Sequence, residues 1–250
     1  MNINVKDSLL DLKSAMQFST ILPVGTGNVF RPVGQVAMFP VVGLILGGIL
    51  AFTDALLSHL WPPLVVGILD TLLLMVLTGG FHLDGLGDTA DGLFSHRPKE
   101  RVLEIMKDSR SGAMGVLAMV AIIAMKWAGL AAMPEPGWSR ALLLIAIPSL
   151  ARGSQIIGIG LLPYGRKEGT AHDLFGDVPL ANRLRFMAIP VLMALLTGGR
   201  GLMVLLIYAA ITAALLHWYK KKMGGITGDM LGAMTEITEG FLFVAAAVAL

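Results

Sequence analysis

The chain has 250 residues, 55% of them hydrophobic and only 14% charged, and its mean hydropathy is +0.75. That excludes a soluble globule, and with it the soluble dinucleotide-binding and barrel enzymes. The 19 basic and 17 acidic residues leave a net charge of +2, which makes no case for a nucleic-acid partner. No cysteine is present, so disulfides, thiolate metal sites and cysteine nucleophiles are excluded, and any metal must be held by oxygen or by the five histidines.

The expected fold is all-α: a polytopic integral membrane helix bundle of about seven transmembrane helices, forming a single domain over residues 1–250. The stretch from Ile3 to Leu22 mixes Leu9, Leu10, Leu12, Met16 and Phe18 with Lys6, Asp7, Asp11 and Lys13. It reads as an amphipathic interfacial helix that is retained rather than cleaved. Apolar runs near the length that crosses roughly 30 Å of hydrocarbon follow at Val36 to Leu57, Pro62 to Phe81, Ala113 to Met133, Ala141 to Leu162, Leu180 to Thr197, Gly201 to Trp218 and Met230 to Leu250. The fifth requires Arg183 and Arg185 to snorkel toward the headgroups.

Charge alternates between the connections. Of the 19 basic residues, 15 fall in the N-terminal segment and the loops 82–112, 163–185 and 219–229. Arg140 and Arg200 occupy the opposite set, while Lys126 and Arg152 lie inside spans. The positive-inside bias predicts an inner-membrane protein with its amino terminus and three long loops in the cytoplasm and its carboxyl terminus outside.

Directly after the second span, the run from Gly79 to Gly92 carries Asp84, Asp88 and Asp91 at i, i+4 and i+7. On a helix these fall along one edge, where three carboxylates repel each other unless a cation lies between them. An all-oxygen set favours magnesium or manganese, and the neighbouring glycines allow a phosphate to approach the backbone. Just before the third span, Lys107, Asp108, Ser109, Arg110 and Gly112 combine cations, a hydroxyl and helix-start amides, a composition suited to phosphate oxygens. A third cluster, Gly224 to Glu239, sets Asp229, Glu236 and Glu239 at helical spacing in the last apolar run. Acids that deep face the bundle or a ligand. The loop Pro163 to Asp173 is a fourth polar patch on the same side, with Arg152 just inside the preceding span, and reads as an ordinary mobile loop slightly ahead of a part of the site. Asp54, Asp70, His59, His217 and Lys126 read as isolated packing or interface residues.

The motifs His82-Leu83-Asp84-Gly85 through Asp91-Gly92, Met106 to Gly115, and Thr227-Gly228-Asp229-Met230-Leu231-Gly232-Ala233 resemble, in composition and order, the membrane-bound cobalamin synthase family, the adenosylcobinamide-GDP ribazoletransferases. The resemblance implies a magnesium-dependent transferase. It would join adenosylcobinamide-GDP to α-ribazole or α-ribazole 5′-phosphate and release GMP. It further implies that Asp84, Asp88, Asp91 and Asp229 bind Mg2+, and that Lys107, Asp108, Arg110, Gly112, Glu236 and Glu239 contact substrate. His82 and Asp91 are the candidate bases, and apolar walls between spans would hold the corrinoid edge. The expected partners are these two substrates and the lipid bilayer; a homo-oligomer or other cobalamin-pathway enzymes remain open. Two other readings compete. A CDP-alcohol phosphotransferase would show alanine and arginine where this chain, after Asp84-Gly85, continues Leu86-Gly87-Asp88-Thr89. A cation transporter would hold its acids near mid-membrane rather than beside basic residues.

Overall fold

The computed structural model describes residues 5–169, 171–176 and 179–249; Ile3, Asn4, Thr170 and Leu250, which fall within expected elements, lie outside the described residues. The first helices are α1 (Val5–Ser19), α2 (Pro32–Val36), α3 (Phe39–Leu57), α4 (Pro63–Leu77), α5 (Phe81–Leu93) and α6 (Lys99–Ile105). They are followed by α7 (Ala113–Ala132), α8 (Trp138–Leu161), α9 (Leu180–Arg183), α10 (Ala188–Leu195), α11 (Gly199–Met223) and α12 (Gly228–Ala246). Short 3-10 turns occupy His172–Phe175 and Leu184–Phe186. The described residues are thus all-helical, with one isolated bridge between Tyr164 and Ile226.

Four helices, α3, α7, α8 and α11, are long and apolar enough to cross a membrane, and α4 with α5 would make a fifth if the bent pair counts as one. α12 has the length, but Asp229, Glu236 and Glu239 lower its hydropathy. The expected fifth span is broken into α9, a 3-10 turn and α10, and the eight residues of α10 rise only about 12 Å. Arg183 does not snorkel: it is buried, and its guanidinium donates to the carbonyls of Leu174 and Gly176.

α1 turns its polar side inward. Arg31 Nε meets Asp11 Oδ1 at 2.5 Å and Ser14 Oγ donates to Gln35 at 2.6 Å, while Leu9 stays exposed. Small residues set the tightest packing. At Gly43 and Gly47, one turn apart on α3, an added Cβ would lie 2.4 Å from Ser149 Cα and 2.6 Å from Ile145 Cα on α8. This four-residue glycine spacing lets two backbones touch where lipid offers no hydrophobic drive for association. α8 itself is buried over most of its length and forms the centre of the bundle.

Two buried ionic clusters join helices. Lys126 Nζ on α7 meets Glu236 Oε2 at 2.6 Å and Glu239 Oε2 at 2.5 Å, and Arg152 Nη1 on α8 meets Glu239 Oε1 at 3.0 Å. Near the far ends of α3 and α8, Arg140 forks onto Asp54 at 2.5 to 3.1 Å and donates to the carbonyls of Leu130, Met133 and Pro134. Lys126 and Asp54 are therefore not isolated. Their partners come from distant helices, which spacing along the chain does not register.

The chain turns by 90° between α4 and α5, where Gly79 (φ +59°) and Gly80 (φ +70°) take left-handed conformations that other residues rarely adopt. α5 consequently runs across one end of the bundle, from the start of α12, against which His82 and Gly85 pack, to the start of α7, against which Asp91 packs. It forms the floor of the candidate site.

Candidate active site

The edge expected from the i, i+4, i+7 spacing exists. Asp84 is exposed and Asp88 and Asp91 are half-buried, while Leu83, Leu86, Ala90 and Leu93 are buried on the other side. The interleaved apolar residues hold α5 against α7 and α12, and this fixes which way the acids point.

The three acids have different surroundings. Asp91 accepts hydrogen bonds from the backbone N–H groups of Gly112 (2.7 Å) and Gly115 (2.8 Å), closing the first turn of α7 as a cap supplied by another helix. The fit depends on glycine, since a Cβ at either position would come within 2.4 Å of the Asp91 carboxylate. The helix-start amides of the Gly112 segment are thus already occupied by Asp91.

Asp84 and Asp88 have no such cap. Burial, then the charges of Asp84, Asp229 and Asp91, push the Asp88 carboxyl up to about 7, against the lowering influence of Arg166. Asp229, in the first turn of α12, is raised mainly by burial, opposed by Arg166 and reinforced by Asp84. Asp84, Asp88 and Asp229 therefore form one local excess of negative charge. Gly85 makes this possible, because a Cβ there would lie 2.8 Å from Asp229 O.

Arg166 supplies the neighbouring positive charge, with Nη2 2.6 Å from Asp229 Oδ2. Its loop is tied down by backbone pairing: Gly165 N–H donates to Ile226 O at 2.8 Å, and Ile226 N–H donates to Pro163 O at 3.0 Å. The segment read from sequence as an ordinary loop is a wall of the site. Only the run of Pro163, Gly165 and the cations Arg166 and Lys167 hinted at it.

The remaining expected site residues are spread more widely. Arg110 is exposed and pairs with Asp108, Nη2 to Oδ2 at 2.6 Å and Nε to Oδ1 at 3.0 Å, which holds the Asp108 carboxyl down to about 2. Lys107 is exposed on the same segment. Glu236 and Glu239 lie deep in the bundle, bound to Lys126 and Arg152 rather than opening on the acidic edge. His82 is buried, with its Nε2 at 3.1 Å from the Gln155 amide nitrogen, which in turn donates to Thr235 Oγ1 at 2.6 Å.

Beside the acids opens a pocket of about 470 Å³, its mouth included, bordered by Phe18, Phe81, His82, Asp84, Leu174 and Asp229, among others. Among the described residues, no three His, Asp or Glu side chains converge to hold an ion unaided. Two or three hard oxygen donors with excess charge suit a magnesium ion whose other ligands are substrate oxygens and water.

The Cobalamin-5-phosphate synthase (CobS) family model matches residues 11–247. Curated proteins named adenosylcobinamide-GDP ribazoletransferase are similar along most of the chain. The protein of Chlorobium phaeovibrioides is 38% identical over 253 aligned positions, covering 96% of this chain and 98% of its own. That of Synechococcus elongatus is 39% identical over 250, covering 94% of each. The protein of Acetivibrio thermocellus is 38% identical over 207, covering 82% of this chain and 83% of its own. No solved structure matches. A family match spanning nearly every element, with relatives sharing more than a third of their residues, makes the chain a member of the Cobalamin-5-phosphate synthase family.

Proposed function

We propose that the protein transfers the adenosylcobinamide phosphate moiety from adenosylcobinamide-GDP to α-ribazole or its 5′-phosphate, giving adenosylcobalamin or its 5′-phosphate and GMP. The observation that carries this reading from the structural side is the meeting of Asp84, Asp88 and Asp229 with Arg166 beside a pocket that Asp84 and Asp229 border. Acids that favour a divalent ion and a cation that favours phosphate are the two components a diphosphate ester requires.

In this reading, Asp84, Asp88 and Asp229 hold magnesium together with diphosphate oxygens. When bound, the ion neutralises charge on the diphosphate and on the departing phosphate. Arg166, paired with Asp229 in the free protein, turns to the phosphate oxygens, and Lys107 and Arg110 add positive charge on the same side. A ribazole hydroxyl oxygen bonds to the phosphorus that carries the cobinamide arm. The bond from that phosphorus to the bridging oxygen breaks, GMP leaves with that oxygen, and the hydroxyl proton passes to solvent at the pocket mouth. Asp91 keeps α7 and α5 in register. The apolar groove of about 570 Å³ bordered by Leu86, Phe94, Ile122 and Trp218 lies against α5 and suits the corrinoid edge.

In this proposal the protein resides in the cytoplasmic membrane with this site on the cytoplasmic face, which the charge bias of its loops supports. α1 lies along the interface, and α12 adds a crossing to those that α3, α4 with α5, α7, α8 and α11 allow. Glu236 and Glu239, which a cation path would need free, are bonded to Lys126, and this favours the transferase over a transporter.

The test is purified protein in detergent with adenosylcobinamide-GDP, α-ribazole and magnesium chloride. GMP release that stops on chelation and returns with magnesium is expected. Absence of GMP under these conditions overturns the reading.

A further inference from the structure

The pocket beside the acids has features that diphosphate chemistry does not use. Part of its lining is apolar: Phe81 and Phe18 meet edge to face at 5.3 Å between centroids, and Leu174 and Leu231 are buried. The polar side chains at its inner end are His82 and Gln155, 2% and 4% exposed.

Their hydrogen bonds define the state of His82. Thr235 Oγ1 donates to Leu231 O at 3.2 Å and so accepts from the Gln155 amide. The same amide nitrogen is 3.1 Å from His82 Nε2 and donates to it. A neutral imidazole that accepts at Nε2 carries its proton on Nδ1. That Nδ1 is buried without a hydrogen-bond partner among the described residues. An unmatched buried donor is costly, and a ligand with an acceptor in the right place removes that cost.

We propose that this pocket binds the heteroaromatic base of the ribonucleoside acceptor, with the His82 Nδ1–H donating to the one ring nitrogen that is not glycosylated. The assignment rests on the transferase reading above and extends it to the acceptor subsite. A dimethylbenzimidazole has one acceptor nitrogen, no ring N–H donor once glycosylated, and two methyl groups, matching one buried donor beside the apolar side chains of Phe18, Leu174 and Leu231. Guanine carries several donors and acceptors along its edge and would leave most of them unmet against Phe18, Leu174 and Leu231. A base seated there directs its ribose toward Asp84 and Asp229 at the mouth, where the diphosphate is held. His82 is then a positioning residue for the acceptor.

The experiment compares two acceptors of the same shape, α-ribazole and the α-riboside of 5,6-dimethylindole, in which C–H replaces the acceptor nitrogen. A site built around a hydrogen bond discriminates strongly against an analogue lacking it. Wild-type protein is expected to show a KM for the indole riboside at least tenfold higher, with kcat changed much less. In His82→Ala the two KM values converge, and in His82→Asn, whose amide retains a donor, part of the gap returns. Equal KM values in wild type, or an undiminished gap in His82→Ala, overturn the assignment. So does a His82→Ala effect confined to the KM of the GDP-linked donor. Should His82→Ala not fold, the wild-type pair alone decides. GMP release from both acceptors with equal KM refutes only this subsite, whereas no GMP from either refutes the transferase reading itself.

Discussion

Arg166 and Asp229 form an ion pair at 2.6 Å, although one lies in the loop after α8 and the other opens α12. The backbone pairing of Gly165 with Ile226 brings them together, and the pair sits where Asp84 and Asp88 add further negative charge. Arg166→Ala is expected to lower kcat/KM for the GDP-linked substrate about 10–100-fold, the scale of a lost charged hydrogen bond to phosphate. It should also raise the magnesium-free pKa values of Asp88 and Asp229 further. Steady-state kinetics at saturating magnesium check the first effect, and carboxyl titration by NMR or infrared spectroscopy checks the second.

Asp84→Asn and Asp88→Asn should each reduce turnover by at least 100-fold while the protein remains inserted and folded, since each replaces an anionic ligand with a neutral amide. GMP release across a magnesium titration, beside a size-exclusion profile, checks this. A near-normal rate at high magnesium counts against the metal assignment.

The raised pKa of Asp88 gives a pH-dependent stability with a definite sign. An unfolded aspartate releases its proton near pH 4, whereas Asp88 in the folded, metal-free protein retains it to about 7. The metal-free protein therefore loses stability as pH rises through that window and no further above it. Asp88 is only half-buried, so solvent screening holds the effect near 1 kcal/mol, about 2–4 °C in melting temperature. Asp88→Asn should melt higher than wild type at pH 8 and alike at pH 4, with magnesium stabilising wild type alone. Thermal melts at the two pH values with and without magnesium are the check.

Asp91 is expected to behave differently from its two neighbours on α5. Asp91→Ala removes the acceptor for the Gly112 and Gly115 amides and should cost about 1–2 kcal/mol, in line with a lost helix cap. Asp91→Asn keeps one acceptor oxygen and should recover part of that. Its magnesium requirement should match wild type, which a magnesium titration of the purified variant measures.

Lys126→Met leaves Glu236 and Glu239 buried without their ammonium partner and should destabilise by about 3–5 kcal/mol, enough to abolish recovery of folded protein. Lys126→Met with Glu236→Gln should recover some of it, leaving Arg152 to compensate Glu239. Detergent-extracted yield and melting temperature report both outcomes.

The sequence by itself determined the class of the molecule and the face of its chemistry. Hydropathy alone implies membrane-crossing helices, because backbone polar groups in lipid must be satisfied within a segment. The spacing of Asp84, Asp88 and Asp91 is fixed by 3.6 residues per turn, so their common edge on α5 was readable before any packing was known. The family was likewise legible in the order of three short motifs. Tertiary structure decided how those residues are employed. Whether Asp91 faces a cation or the amides of α7, whether Arg166 hangs in solvent or faces Asp229, and whether Glu239 meets substrate or Lys126 all depend on which distant segment packs alongside. The same holds for the broken fifth span, where Arg183 finds carbonyl partners within the protein instead of extending to the headgroups. Charges and hydrogen-bond donors act over a few ångströms of space, and periodicity along one helix carries no information about what another helix brings within that distance.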